Sequence, residues 1–211
     1  MRLAKGHEII TLALLTLLPV LLFYGLVYPT LLILIPVFLI LLGGHLMFFR
    51  DPSRTVSTDA RTVLAPADGK IYAINPSQGI IRIRMSLFNV HVTRAPITGT
   101  ITTIQRKSGK NWPFFSFLHL GTVENARQTI WIASSTGKFS VVQIVGILAR
   151  RAICYLNEGE SVQQGERLGM IRYGSEVDVH LPSNKYRILV KENDRTVAGI
   201  TRLAELKGGS S

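Results

Sequence analysis

The chain has 211 residues, 47% of them hydrophobic, with one cysteine and a net charge of +11. That length suits one domain of ordinary size plus an appendage. Cys154 alone excludes an intrachain disulfide framework and a thiolate metal site.

The first predicted element is apolar. From Ile9 to Phe49 there is no Asp, Glu, Lys or Arg. One spanning helix needs about 20 apolar residues, and this run is roughly twice that. Gly25, Tyr28 and Pro29 interrupt its middle. The pattern predicts a helical hairpin, 8–27 and 30–49. A cleaved signal peptide fits poorly, because no small-residue cleavage site stands out. Pro19, Pro29 and Pro36 would kink a single long helix. A hairpin that enters one leaflet and returns is left open.

Arg2 and Lys5 precede this run, and Arg50 and Arg54 follow it. The positive-inside rule then puts both ends in the cytoplasm. The expected location is the cell membrane, with the rest of the chain on its cytoplasmic side. After Arg50, 21 Lys and Arg stand against 12 Asp and Glu, a surplus of +9. Beside an anchor, that surplus suits an anionic lipid surface. Arg82, Arg84, Arg94, Arg106, Lys107, Lys110, Arg150 and Arg151 are dispersed, without the aromatic interleaving of an RNA-binding motif. Nucleic acid is not an expected partner.

Residues 50–54 read as a short polar linker. Beyond it, short Ile-, Val- and Thr-rich segments predict strands at 71–74, 79–85, 90–93, 99–105, 129–134 and 140–145. Further strands are expected at 177–181, 187–190 and 197–203. Ile80 to Met85 alternates with period two, as a half-buried strand should. Segment 111–125 is aromatic and irregular and reads as a loop toward the bilayer. Ala65-Pro66-Ala67-Asp68-Gly69-Lys70-Ile71 and Ala95-Pro96-Ile97-Thr98-Gly99-Thr100-Ile101 share an Ala-Pro-x-x-Gly-x-Ile pattern. Segment 158–169 resembles the tight hairpin of biotinyl and lipoyl carrier domains. The expected fold is mainly β: a barrel-sandwich-like catalytic domain with an N-terminal hydrophobic helical hairpin. Its parts are an anchor at 1–49, the β-rich domain at 50–204 and a flexible tail at 205–211.

Near the C-terminus stands Gly174-Ser175. In most chains such a pair is a turn, with Gly supplying φ > 0. Its surroundings change that reading. The chain resembles the short bacterial and archaeal type of phosphatidylserine decarboxylase. The resemblance is carried by the hairpin ending in Phe48-Phe49-Arg50-Asp51-Pro52, by Pro66-Ala67-Asp68-Gly69, and by Phe88-Asn89-Val90-His91-Val92 with Arg94-Ala95-Pro96. It continues through Glu124-Asn125, Gln143-Ile144-Val145-Gly146, Ala149-Arg150-Arg151 and Arg172-Tyr173-Gly174-Ser175-Glu176-Val177-Asp178-Val179.

The resemblance implies that the chain cuts itself at Gly174-Ser175. Ser175 Oγ attacks the Gly174 carbonyl and forms an ester. Elimination then frees the Gly174 carboxylate and leaves dehydroalanine, which hydrolyses to a pyruvoyl group and ammonia. The products are a β chain, 1–174, and an α chain, 175–211, capped by that covalent cofactor. No metal is implied. His91 is the candidate base for Ser175 and the candidate proton donor to the substrate, and Asp68 the candidate carboxylate orienting and charging it. The implied reaction converts phosphatidylserine in the membrane to phosphatidylethanolamine and CO2. Archaetidylserine, the ether lipid with the same headgroup, is the alternative substrate. Oligomeric state is left open.

Three departures stand out. Longer bacterial relatives carry His-x-x-His, where this chain has His91 and Arg94. Glu176 replaces the usual Arg after the serine, and His180 replaces a Tyr. His180 is expected at the surface. Two other functions compete. A carrier or adaptor would show a modifiable Lys in Met-Lys-Met or Asp-Lys-Ala, and neither occurs. A metallopeptidase would need His-x-His or His-x-x-x-Asp, and neither spacing occurs among the five histidines.

Overall fold

The computed structural model describes residues 3–5, 7–109, 125–145, 152–171 and 175–208. At position 175 the backbone alone is described. Gly174, most of the expected 111–125 loop, Arg150, Arg151 and the Gly209-Ser210 pair lie outside the described residues. The chain divides into two units, 1–53 and 54–211.

In the first unit, helix α1 spans Glu8–Val27, a 3-10 turn spans Pro29–Ile33, and helix α2 spans Leu34–Phe48. α1 is long and apolar enough to cross a membrane. α2 starts four residues later than expected. Pro36 then falls in its first turn, where a missing N–H costs no helical hydrogen bond. Thr11 Oγ1 and His45 Nε2 lie 3.0 Å apart and join the two helices.

The second unit is antiparallel β. Its strands are β1 Thr62–Leu64, β2 Gly69–Asn75, β3 Ile80–Met85, β4 Val92–Arg94, β5 Gly99–Lys107, β6 Arg127–Ser134 and β7 Gly137–Val145. They continue as β8 Ala152–Cys154, β9 Ser161–Val162, β10 Arg167–Ile171, β11 Ser175–His180, β12 Tyr186–Ile188, β13 Arg195–Thr196 and β14 Arg202–Leu206. One eight-stranded sheet has the order β13-β2-β3-β11-β7-β6-β5-β9. Two three-stranded sheets, β1-β14-β12 and β4-β10-β8, accompany it. The mainly β expectation holds. In β3 the alternation works as read: Ile81, Ile83 and Met85 are buried while Arg82 and Arg84 face out.

Three local readings need correction. Segment 197–203 is not a strand. Gly199 adopts φ +73°, and Thr201 N–H closes on Val197 O at 3.0 Å. That left-handed residue breaks the run into β13 and β14. The segment resembling a carrier hairpin does turn, at Gly165, but its flanking strands do not pair with each other. β9 pairs with β5, whereas β10 pairs with β4 and β8. The turn is fastened sideways instead: Gly165 N–H bonds Ala95 O and Ala95 N–H bonds Glu166 O, both at 2.8 Å. β14 includes Glu205 and Leu206, so the last strand runs two residues into the expected tail.

The internal repeat is structural. Gly69 opens β2 and Gly99 opens β5. Ala65 holds the Gly199 turn as Ala95 holds the Gly165 turn, with Gly199 N–H on Ala65 O at 2.8 Å. Thr98 Oγ1 accepts Gln164 N–H at 3.0 Å, and its counterpart Asp68 accepts Ala198 N–H at 2.8 Å. Each Ala-Pro-x-x-Gly copy therefore grips one tight glycine turn through its backbone and the side chain of its fourth residue.

Candidate active site

Position 175 is the first residue of β11, at the centre of the large sheet. Met85 of β3 pairs with it on one side and Val145 of β7 on the other. Both neighbours are buried. A backbone fixed between two strands has little freedom, and that suits a site where chain geometry must be held.

His91 reaches the same end of the sheet by two routes. The loop leaving Met85 is tied by Ser86 N–H and Oγ to Asn89 Oδ1, at 2.7 and 2.9 Å. From the other direction, Ile171 N–H bonds His91 O at 3.2 Å. Ile171 lies four residues before position 175, a reach of at most about 14 Å. The imidazole is fully buried. Its Nδ1 lies 2.9 Å from Asn89 O. A carbonyl only accepts, so Nδ1 must carry the hydrogen. In the neutral ring the lone pair is then on Nε2, the nitrogen whose tautomer suits a base.

Asp68 sits at the same end of the sheet, one residue before β2. Its carboxylate is gripped by a two-pronged Arg54 pair, Nη1 to Oδ1 at 2.7 Å and Nη2 to Oδ2 at 2.8 Å. Ala198 N–H adds a third bond. The orienting contact at His91 Nδ1 is thus made by Asn89, while Asp68 is engaged by Arg54. Sequence reading assigned Arg54 to the membrane flank and missed this pair; no local pattern links it to a carboxylate 14 residues on. Gly69 explains the tight approach here. A Cβ on it would stand 2.4 Å from Arg84 O, so only glycine lets β2 close on β3.

Arg94, at the place of a second histidine, is buried and donates to Gly165 O at 2.9 Å. It braces the turn that Ala95 holds.

Glu176 is fully buried rather than solvated. Tyr72 O–H donates to its Oε2 at 2.8 Å and Arg84 Nε to its Oε1 at 2.9 Å. Arg84 also lies 4.4 Å over the Tyr72 ring. Arg84 thereby answers the charge that departs from the family pattern. Burial, followed by the Glu176 charge, pushes the Tyr72 phenol well above its usual range. His180, expected at the surface, is half-buried; desolvation and then Arg82 hold its imidazole below the usual value. Cys154 is half-buried too, and burial raises its thiol, as an inert packed residue requires.

Asp178 carries a pH consequence. Burial pushes its carboxyl from 3.8 up to about 6, against the opposing charge of Arg82 at 3.6 Å. A folded pKa above the unfolded value favours the protonated form. The stability it gives is complete below about pH 4 and is lost as pH rises through 6. About two units correspond to roughly 3 kcal/mol withheld at neutral pH. Asp178→Asn is expected to raise the Tm at pH 7 and to flatten the gain between pH 7 and 4. Thermal melts in an uncleaved Ser175→Ala background measure this, and a Tm at pH 7 no higher than the parent's sinks the idea.

A cavity of about 580 Å³ opens on this end of the sheet, with Val145, Ala152 and Cys154 on its apolar side and Arg106, Arg127 and Gln128 on its polar side.

Comparisons with known proteins give the chain its relatives. The family profile for phosphatidylserine decarboxylase matches residues 45–204. The phosphatidylserine decarboxylase proenzyme of Magnetococcus marinus is 39% identical over 183 residues, 82% of each chain. That of Chlorobium limicola is 42% identical over 167 residues, 75% of this chain and 77% of the relative. A Methanosarcina mazei protein, provisionally named an archaetidylserine decarboxylase proenzyme, is 43% identical over 161 residues, 76% of this chain and 74% of the relative.

Proposed function

The chain belongs to the phosphatidylserine decarboxylase family, and we propose on that premise that it is the proenzyme of a lyase that removes CO2 from the serine headgroup of phosphatidylserine. The observation that carries the site assignment is the register of β11, which sets position 175 between Met85 and Val145 at the sheet end that His91 also reaches.

In this reading the chain first divides itself. His91 Nε2 takes the Ser175 hydroxyl proton while Oγ attacks the Gly174 carbonyl. Asp68 supplies negative charge at the same sheet end and favours the imidazolium that forms. Proton transfer by a positioned side chain contributes typically about 10²–10⁴-fold.

The group made from Ser175 is a pyruvoyl. The residues present fit it: position 175 is a strand start held on both sides, next to a cavity whose near wall is Val145 and Ala152. When formed, it supplies an electron sink for the decarboxylation. The protein's remaining task is a proton for the substrate carbon. His91 Nε2 is the group held at this end of the sheet to deliver it.

The N-terminal hairpin and the basic surface fit a substrate that never leaves the bilayer. In our reading the hairpin anchors the catalytic unit on the cytoplasmic side, where anionic headgroups attract the +9 surplus. The test is direct. Purified protein should separate into 1–174 and 175–211 on denaturing electrophoresis, with a smaller chain lighter than encoded and reactive toward hydrazine. With phosphatidylserine vesicles it should yield CO2 and phosphatidylethanolamine. An undivided chain in preparations that release CO2 would refute the self-cleaving mechanism.

A further inference from the structure

We propose that the cavity of about 580 Å³ beside position 175 is the subsite for the phosphodiester of the lipid headgroup, with Arg106 as its principal cation. The assignment rests on the decarboxylase reading above.

Two cavities flank the start of β11. One, of about 660 Å³, includes Tyr72, Arg84 and Asn89. Tyr72 and Arg84 are the partners of Glu176, so it opens on the Glu176 face. Strand alternation decides between them. Position 175 falls on the face of Val177 and Val179, opposite Glu176. On that face Val177 pairs with Gln143, Gln143 with Gln128, and Gln128 with Arg106. Arg106 therefore shares a sheet face with the scissile position. It is three strands away, roughly 14 Å at ordinary strand spacing. The cavity lined by both Val145 and Arg106 bridges that gap.

Arg106 differs from four other arginines of the chain. Arg54, Arg82, Arg84 and Arg187 each face a carboxylate. Among the described residues no carboxylate pairs with Arg106 or with Lys107 beside it. Yet Arg106 is held. Its Nε donates to Gln128 Oε1 at 2.9 Å. Gln128 Nε2 donates to Gln143 Oε1 at 2.8 Å, and Gln143 Nε2 to Thr93 Oγ1 at 2.6 Å. Gln128, Gln143 and Thr93 are all buried. Thr93 is two residues past His91, so the relay ties the cation to β4, the strand that starts directly after His91. The Nε bond leaves the two terminal nitrogens of the guanidinium for a ligand.

The substrate offers two anions, a carboxylate and a phosphodiester. A cation clamped on the carboxylate would stabilise the negative charge that must pass from it into the electron sink as neutral CO2 departs, and so would oppose the reaction. The phosphodiester keeps its charge throughout. Binding energy spent there holds the substrate without raising the barrier. Its paired oxygens also match the guanidinium fork.

The test compares wild type, Arg106→Gln and Arg106→Lys, with Lys191→Ala as a control for lost surface charge. Each is assayed on phosphatidylserine in mixed micelles and with glycerophosphoethanolamine, the soluble deacylated headgroup, as inhibitor. Arg106→Gln should self-cleave fully, raise KM about ten- to hundredfold and leave kcat nearly unchanged. The inhibitor should weaken by a similar factor, Arg106→Lys should fall between, and Lys191→Ala should match wild type. An unchanged KM overturns the proposal. So does a change confined to micelles, which would assign Arg106 to the lipid surface, or a failure to self-cleave, which would assign it to maturation. If wild type neither divides nor releases CO2, the decarboxylase reading falls as well.

Discussion

A chain carrying Ser175→Ala is expected to migrate as a single polypeptide and to release no CO2 from phosphatidylserine. The effect is all-or-none because the proposed mechanism gives Ser175 two successive duties. In it the hydroxyl is the nucleophile that breaks the preceding peptide bond, and the atoms of Ser175 become the electron sink. Alanine has no oxygen to attack with and leaves nothing to convert. The fold should survive, since the backbone of position 175 is fixed by pairing with Met85 and Val145, not by its side chain. Intact mass, hydrazine reactivity and a thermal melt measure the three consequences. An Ser175→Ala chain that still divides at this point, or still decarboxylates lipid, would remove Ser175 from the mechanism.

The residues differ in how far sequence exposed them. The strands with clean alternation were legible, because burial on one face leaves a period of two, as in Ile81, Ile83 and Met85. The two-part strand 195–206 was not. Val197, Ile200 and Leu203 read as continuous apolar sequence, and only the backbone angle at Gly199 separates them. The repeat was visible as Ala-Pro-x-x-Gly, but its purpose was not, since each copy acts on a turn some 70 or 130 residues away: Thr98 on Gln164, Asp68 on Ala198. Arg54 was hidden for the same reason. A long-range pair leaves no spacing to read.

That repeat also weighs on Asp68. A hydroxyl is enough to hold the equivalent turn, because Thr98 does so without charge. The carboxylate at 68, with its Arg54 fork, exceeds what turn-holding needs. Burying a pair of charges gives little net stability against a neutral replacement. The proposed mechanism gives that surplus a use, as charge near the imidazolium. Glu176 presents the opposite case. Its charge departs from the family pattern, but Arg84 and Tyr72 absorb it locally, and the strand start is left in register.

His91→Ala should slow self-cleavage by about 10²–10⁴-fold at neutral pH, the usual worth of a positioned proton acceptor. The loss should be visible as undivided chain accumulating in a time course after synthesis. Asp68→Thr separates the roles of charge and shape. It borrows the residue of the sister repeat, keeps an acceptor for Ala198 N–H, and deletes the carboxylate. Asn89 O still fixes the His91 tautomer, so the base remains correctly protonated. What is lost is electrostatic support for the imidazolium. Asp68→Thr should therefore slow cleavage less than His91→Ala, and its rate should rise at higher pH, where more of the serine hydroxyl is ionised without help. Because Arg54 is left without its partner, a melt in the Ser175→Ala background must accompany the rates. Cleavage at the wild-type rate in Asp68→Thr would reduce Asp68 to a turn-holder like Thr98. Cleavage at the wild-type rate in His91→Ala would transfer the base to another group and leave the Asn89 contact as packing alone.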